Sequence, residues 1–200
     1  PYYGLRSYKG ADIIWGGDPN CEHDFVNGFC QKCGAWKGQL GLEPTYQLYI
    51  EHLMMITKEL KRVLKKTGTM FWNMGDSYSS KGRLSKPENL LKAKVGNTKS
   101  GEQKGIRYID DNENNIKDKS LMLIPERFAM AMVDDGWILR NKIIWRKVNG
   151  LPSSVKDRFT NKWEYVFFFT KSKKYYFDLD AVRKPAKTGN GKEFGWAGVE

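Results

Sequence analysis

The chain has 200 residues, 40% hydrophobic and 14% aromatic, which allows one sizeable core in one or two domains and excludes a disordered tail. No apolar run approaches the roughly 18–20 residues that a membrane-spanning helix needs, and no secretory leader is visible in a chain that starts on proline. A net charge of +11 calls for a polyanionic partner, because each Lys or Arg set against a phosphate releases counterions. Nucleic acid is favoured over a membrane surface, since the clearest amphipathic helix commits its apolar face to a core.

All three cysteines fall between Cys21 and Cys33. A clustered, odd set fits no secreted disulfide framework and points to a reducing, cytoplasmic setting.

In chain order, residues 9–43 read as loop, rich in glycine and broken by Pro19. A helix follows. Thr45 is placed to cap it, and apolar side chains recur at Tyr49, Leu53, Ile56, Leu60, Val63 and Leu64. Lys61, Arg62, Lys65 and Lys66 suit the negative end of its dipole, and Gly68 is the expected left-handed stop. Thr69 to Met74 reads as a buried strand running into Gly75-Asp76. Helix, glycine stop and strand predict an α/β unit of the kind that builds a parallel sheet.

From about Ser79 to Lys119 the pattern changes to ten Lys or Arg, six Asp or Glu and little apolar periodicity. So long a tract is either a solvated, disordered insertion or a DNA-contacting loop that orders on binding. Arg83, Lys92, Lys94 and Lys104 are its candidate contacts to the DNA backbone. Order resumes at Leu121. Pro125 fits the first turn of a helix reaching about Asp134, and Gly136 closes it. Trp137 to Lys147 is the next predicted strand, with Trp137, Leu139, Asn141, Ile143 and Trp145 on one face. After a turn region comes a strand from Trp163 to Thr170, and the basic link Lys171 to Lys174 into Tyr175-Tyr176-Phe177-Asp178 predicts an antiparallel hairpin. Beyond Pro185 the chain becomes polar and glycine-rich, and 186–200 reads as the start of a linker or target-recognition region.

Cys21-x-His23 followed by Cys30-x-x-Cys33-Gly34 is a metal-site pattern. Zinc takes four such ligands in a tetrahedron, and a Cys-x-x-Cys turn ending in glycine aims two thiolates at one point. A redox pair or unrelated buried cysteines are the alternatives, but no thioredoxin-like helix follows. The expectation is a closed structural zinc site on Cys21, His23, Cys30 and Cys33. His52, on the amphipathic helix, is read as an ordinary histidine.

Several blocks recur in a meaningful order. Pro1-Tyr2-Tyr3-Gly4 comes first, then Gly41-Leu42-Glu43-Pro44, then Thr69 to Tyr78 with its Asn73-Met74-Gly75-Asp76 centre. Asp134 to Lys147 is next, followed by Asp157-Arg158-Phe159-Thr160, Trp163-Glu164-Tyr165, Phe169-Thr170-Lys171-Ser172 and Tyr175 to Asp178. Together they resemble the catalytic half of the DNA amino-methyltransferases, which methylate N6 of adenine or N4 of cytosine. The resemblance runs from residue 1 to about Pro185 and leaves 79–119 unmatched.

The resemblance implies an α/β fold, part of a Rossmann-like S-adenosylmethionine-dependent methyltransferase sheet, with a small zinc-binding insert at about 15–40. It implies a catalytic half over 1–185 and DNA as partner. In that family the catalytic tetrapeptide is Ser/Asp-Pro-Pro-Tyr, and this chain begins inside it. Pro1 then corresponds to the second proline and Tyr2 to the aromatic that stacks on a flipped base. An acceptor side chain at the first position offsets the charge developing on the amine, a poor nucleophile otherwise; that residue is not in the chain.

The family's glycine-rich donor turn, Phe-x-Gly-x-Gly-Thr-Thr, is also unmatched, since Phe194-Gly195-Trp196-Ala197-Gly198 has the wrong spacing. In the permuted class that turn falls beyond residue 200, so the expectation is a fragment cut at both ends and inactive alone. Asp76 is the candidate contact to the donor. A non-catalytic zinc-containing DNA-binding module is the competing reading, and an RNA or protein methyltransferase a third.

Overall fold

The computed structural model describes residues 2–4, 7–8, 10–79, 116–150, 153–187 and 193–197. Pro1, Arg83, Lys92, Lys94 and Lys104, and most of the 79–119 tract, lie outside the described residues.

Four short strands come first: β1 (Ile13–Trp15), β2 (Phe25–Val26), β3 (Phe29–Cys30) and β4 (Trp36–Gly38). They form one antiparallel sheet in the order β1-β4-β3-β2. The loop expected over 9–43 is therefore a small sheet, and strands of two or three residues are too short to show a period. Asn27 (φ 52) and Gly28 (φ 84) make the two-residue turn between β2 and β3. Both angles are positive, as the twist of such a hairpin requires, and Asn-Gly tolerates them best.

The helix α1 (Tyr46–Val63) begins as its sequence predicts, with Thr45 Oγ1 accepting from Leu48 N at 3.2 Å. It ends earlier than expected. Leu64, in extended conformation, is its C-cap and donates its N–H to Leu60 O. Gly68 is not the left-handed stop; it closes a later turn onto Lys65 O. A Cβ there would stand 2.7 Å from Leu64 Cγ, so close approach rather than a left-handed backbone is what needs glycine.

The second sheet holds β5 (Thr69–Met74), β6 (Ile138–Arg146) and β7 (Trp163–Thr170) in the order β5-β7-β6. β7 is antiparallel to both neighbours. Among the described residues the expected parallel pairing does not occur, because β7 lies between the two strands that run the same way. Its edges are thereby taken, and this is why Tyr175 to Asp178 forms no hairpin with it. That segment instead passes Thr67, whose carbonyl accepts from Tyr176 N, into the one-turn helix α3 (Leu179–Val182). β8 (Lys184–Lys187) and β9 (Glu193–Ala197) form a separate antiparallel pair.

The helix α2 (Ile124–Asp134) carries proline in its first turn, and Gly136 (φ 83) follows it in the predicted left-handed conformation. In β6 the register slips between Leu139 and Asn141. This bulge splits the face expected for the strand: Trp137 is buried, whereas Ile143 and Trp145 face solvent.

Tyr49 and Leu53 of α1, Phe128 and Met132 of α2, Phe167 and Phe169 of β7, Met74 and Trp137 share one core with Tyr3 of the N-terminal run. No helix among the described residues is long and apolar enough to cross a membrane. The fold is mixed α/β.

Candidate functional site

The N-terminal run is held where β5 ends. Gly4 N donates to Gly41 O at 2.7 Å, Ser77 Oγ donates to Tyr3 O at 2.7 Å, and Tyr3 Oη donates to Glu43 O at 3.1 Å. Between these anchors the Tyr2 ring rests on Gly75. A Cβ at residue 75 would lie 2.3 Å from Tyr2 Cε1, so a larger residue would displace the ring.

Tyr2 Oη donates to Glu164 Oε1 at 2.7 Å, and Asn73 Nδ2 donates to Glu164 Oε2 at 3.4 Å. The Lys147 ammonium also pairs with Glu164. Burial pushes the Glu164 carboxyl up, but Lys147, the Tyr2 hydroxyl and Asn73 outweigh it and hold the group below the usual glutamate range. Tyr2 itself keeps about a third of its surface open to solvent (37%), so its ring is fixed at one end and accessible. In the sequence, Asn73, Gly75, Lys147 and Glu164 are legible only as members of matched blocks, with no separate role.

Asp76 stands at the same strand end but faces a different task. Its Oδ1 accepts from Ser77 N (2.8 Å) and Ile124 N (3.0 Å), and its Oδ2 accepts from Leu123 N (3.1 Å). The carboxylate caps α2 across the long tract, replacing a local capping side chain that Leu123 (φ 56) cannot supply. Burial raises its pKa, against the lowering effect of those three N–H groups. Both oxygens are thus engaged with backbone donors.

The structure brings Cys21, His23, Cys30 and Cys33 together, with all four ligand atoms within 4.8 Å of one another. Cys21 Sγ lies 3.9 Å from Cys30 Sγ, and Cys33 Sγ lies 3.4 Å from His23 Nδ1. Zinc–sulfur bonds of about 2.3 Å in a tetrahedron place sulfurs about 3.8 Å apart, so the donor set fits zinc. All three cysteines are free thiols.

Local backbone explains the gathering. Gly34 (φ 74) turns the chain after Cys33 and returns its N–H to Cys30 O at 2.9 Å. Gly17 packs so tightly that a Cβ would lie 2.8 Å from Cys33 Sγ. Burial opposes charge on Cys30, yet N–H groups of Cys33, Lys32 and Asp24, with the His23 ring, bring that thiol down to about 5. Burial and the neighbouring sulfurs push Cys21 up to about 11. Donors aimed at a sulfur in this way suit a metal-bound thiolate.

One further cluster has almost no trace in the sequence. Glu43 and His52 are both buried and meet at 2.9 Å between Glu43 Oε1 and His52 Nδ1. The imidazole is stacked on Trp15 at 4.6 Å and on Trp36 at 5.4 Å. A carboxylate just ahead of a helix and a histidine two turns inside it are only a weak signal that the pair meets.

Comparison with known proteins gives the family of the chain. The Type II methyltransferase M.XycI of Xanthomonas campestris pv. cyanopsidis is 40% identical over 151 residues, 76% of this chain and 47% of the relative. M.SmaI of Serratia marcescens is 35% identical over 188 residues, 93% of this chain and 52% of the relative. M.Cfr9I of Citrobacter freundii is 38% identical over 151 residues, again 76% of this chain and 47% of the relative. The chain spans about half the length of these curated relatives. The N6/N4 methyltransferase family model, described as DNA methylase, matches residues 1–196, so the Tyr2 corner, the cysteine cluster and both sheets lie inside it, and the chain belongs to that family.

Proposed function

We propose that the protein is a DNA methyltransferase of a modification system, acting in the cytoplasm. In this proposal a methyl group passes from S-adenosylmethionine to the exocyclic amine of adenine (N6) or cytosine (N4). The observation that carries the proposal is the family match over residues 1–196, which includes the Tyr2 run from its first residue. Residues 1–185 are then the catalytic half, with 186–200 leading toward target recognition, and the sheet belongs to a Rossmann-like arrangement.

Bound S-adenosylmethionine supplies a methyl group on a sulfonium centre. The chain contributes the receiving side of the reaction. Tyr2 offers a ring face for a base taken out of the duplex, with Gly75 behind it and Glu164 holding the hydroxyl. Fixing the ring matters because a misplacement of about 1 Å at a reacting centre can cost on the order of a hundredfold in rate.

The described residues do not fit a donor site. The glycine-rich turn is not in the sequence, and the Asp76 carboxylate is engaged with Ser77, Leu123 and Ile124. A donor contact from Asp76 would require those bonds to be exchanged. Zinc on Cys21, His23, Cys30 and Cys33 is a structural ion in this proposal, with all four positions filled by protein. The net charge of +11 supports a DNA partner, with Arg83, Lys92, Lys94 and Lys104 as proposed backbone contacts.

The test is transfer of a labelled methyl group to unmethylated DNA, run on the 200-residue chain and on the whole protein that carries it. The whole protein turns over and the chain alone does not. In the whole protein, Tyr2→Ala lowers turnover by roughly ten- to a hundredfold, since base–aromatic stacking is worth about 1–3 kcal/mol, while donor binding is retained. Turnover by the chain alone would place the donor site on residues that serve as scaffold in this proposal. An inactive whole protein that still binds DNA in a salt-dependent way would favour the zinc-containing binding module.

A further inference from the structure

We infer that the cysteine–histidine insert holds the Tyr2 loop in place through the buried Glu43–His52 pair, so that Glu43 and His52 are positioning residues. The inference rests on the methyltransferase proposal only for its kinetic consequence; the mechanical link rests on the geometry and on the proposed zinc in the cysteine–histidine cluster.

One end of the relay is the N-terminal run. Glu43 is fully buried, and a buried carboxylate is costly unless every oxygen finds a partner. Its Oε2 accepts from Gly41 N at 2.7 Å, and its backbone carbonyl accepts from Tyr3 Oη at 3.1 Å. Gly41 in turn accepts Gly4 N through its own carbonyl at 2.7 Å. Gly41 has φ 92, and a Cβ on it would lie 2.5 Å from Tyr2 O, so its backbone is pressed directly against Tyr2. One carboxylate therefore sets the residue that touches Tyr2, and its own backbone anchors the residue after it.

The other end is the metal-site sheet. Glu43 Oε1 meets His52 Nδ1 at 2.9 Å, and the His52 ring lies against two indoles. Trp15 stacks on it at 4.6 Å and 17°, Trp36 at 5.4 Å and 25°. Those indoles belong to β1 and β4, which pair Trp15 with Trp36. β4 pairs in turn with β3, and Cys30 N donates to Ala35 O at 2.7 Å. The path from a residue of the metal cluster to the Tyr2 backbone is thus continuous: Cys30, Ala35, Trp36, His52, Glu43, Gly41, Tyr2. Losing the metal loosens the indole wall, frees the imidazole, and leaves Glu43 without the partner that orients it toward Gly41.

The experiment is amide hydrogen exchange followed by NMR on the zinc-loaded 200-residue chain, comparing Gly4 and Gly41 with Phe71 and Trp72 in β5. Zinc chelation and His52→Ala each speed exchange at Gly4 and Gly41 by about tenfold or more, with β5 unchanged. His52→Ala still binds one zinc. Glu43→Gln keeps slow exchange, because its oxygen can hold Gly41 N–H while its amide donates to His52 Nδ1; Glu43→Ala does not. Unchanged exchange at Gly4 and Gly41 after chelation overturns the relay, and this arm needs no substitution to fold.

In the whole enzyme, His52→Ala lowers kcat by about tenfold with KM for DNA and donor within about twofold, and Glu43→Gln retains most of the activity that Glu43→Ala loses. A change in KM alone would overturn the positioning role. Should the whole protein prove inactive in every form, the exchange result still decides the link.

Discussion

The two larger sheets among the described residues differ in how much apolar surface they bury. The first has strands of two or three residues and buries little beyond Cys30, Ala35 and Trp36. The second has strands of six, nine and eight residues and places Phe167, Phe168 and Phe169 in succession out of solvent. Ordering a residue costs about 1–2 kcal/mol of backbone entropy, which the small sheet cannot offset by apolar burial. Cross-linking through four ligands can. With zinc bound as proposed, one chain couples a region that depends on chemistry at a point with a region that depends on area, and each should fail in its own way.

The sharpest test removes the metal. Structural zinc in small modules contributes an apparent ~10–16 kcal/mol, comparable with the stability of a whole domain. Cys30→Ser or chelation is expected to open residues 13–38 to hydrogen exchange while β5 and β7 stay protected. Elemental analysis of metal-replete protein should find one zinc per chain; none would mean that the small sheet is self-sufficient and would break the comparison.

The complementary cut is Phe169→Ala. Phe169 is fully buried and meets Phe128 and Trp137 edge-on. Truncation should cost about 3–5 kcal/mol in denaturant unfolding, with zinc stoichiometry intact in the folded fraction. Simultaneous loss of zinc would show that the two regions unfold as one.

A smaller effect separates the two carboxylates at the end of the larger sheet. Asp76→Ala removes the cap of α2 and should cost about 1–2 kcal/mol. The folded-state pKa of Asp76 is raised, so its contribution is present at low pH and declines as pH climbs from the ordinary Asp value through the raised one. Glu164 has the opposite sign. Its pKa is lowered, so its contribution is complete above the ordinary Glu value and is lost as pH falls through the lowered one. On the acid side of the stability–pH curve, Asp76→Asn should remove a contribution that falls as pH rises and Glu164→Gln one that grows as pH rises; changes of the same sign would show that the sheet end is one electrostatic unit.

The smallest expected effect is at Tyr49, whose hydroxyl is buried without a partner among the described residues. Tyr49→Phe should be neutral within about 0.5 kcal/mol or slightly stabilising. A clear loss in thermal unfolding would reveal a hydrogen bond to that hydroxyl inside the core.

Where the sequence is legible, the signal is local. Thr45 caps α1, Thr69–Met74 is β5, and Gly136 adopts its left-handed angle, because each depends on neighbours in the chain. The gathering of Cys21, His23, Cys30 and Cys33 is legible because their spacing, Cys-x-His and then Cys-x-x-Cys-Gly, already brings donor atoms to one point. What fails depends on distant pairing. Nothing within Trp163 to Thr170 says that both of its edges are taken by β5 and β6, and nothing within Trp137 to Lys147 announces the bulge after Leu139. His52 reads as ordinary because its meaning comes from Glu43, Trp15 and Trp36, on three other segments. Tyr2 is singled out in the sequence only by the block it belongs to, and the Glu164 bond that holds its ring spans 162 positions and leaves no local trace.

Where the long basic tract leaves and re-enters the fold, the chain is pinned. Tyr78 bridges Leu121, Ser79 N donates to Ser120 O, Lys119 N returns to Ser79 O, and Asp76 reaches Leu123 and Ile124. All of these bonds are made by residues on the two flanks, so among the described residues the anchoring of α2 to the end of β5 is built from Asp76 to Ser79 on one side and Lys119 to Ile124 on the other. Substitutions at these flanking positions, Asp76 above all, are therefore the ones that should uncouple α2 from the strand end that carries Gly75 and Tyr2.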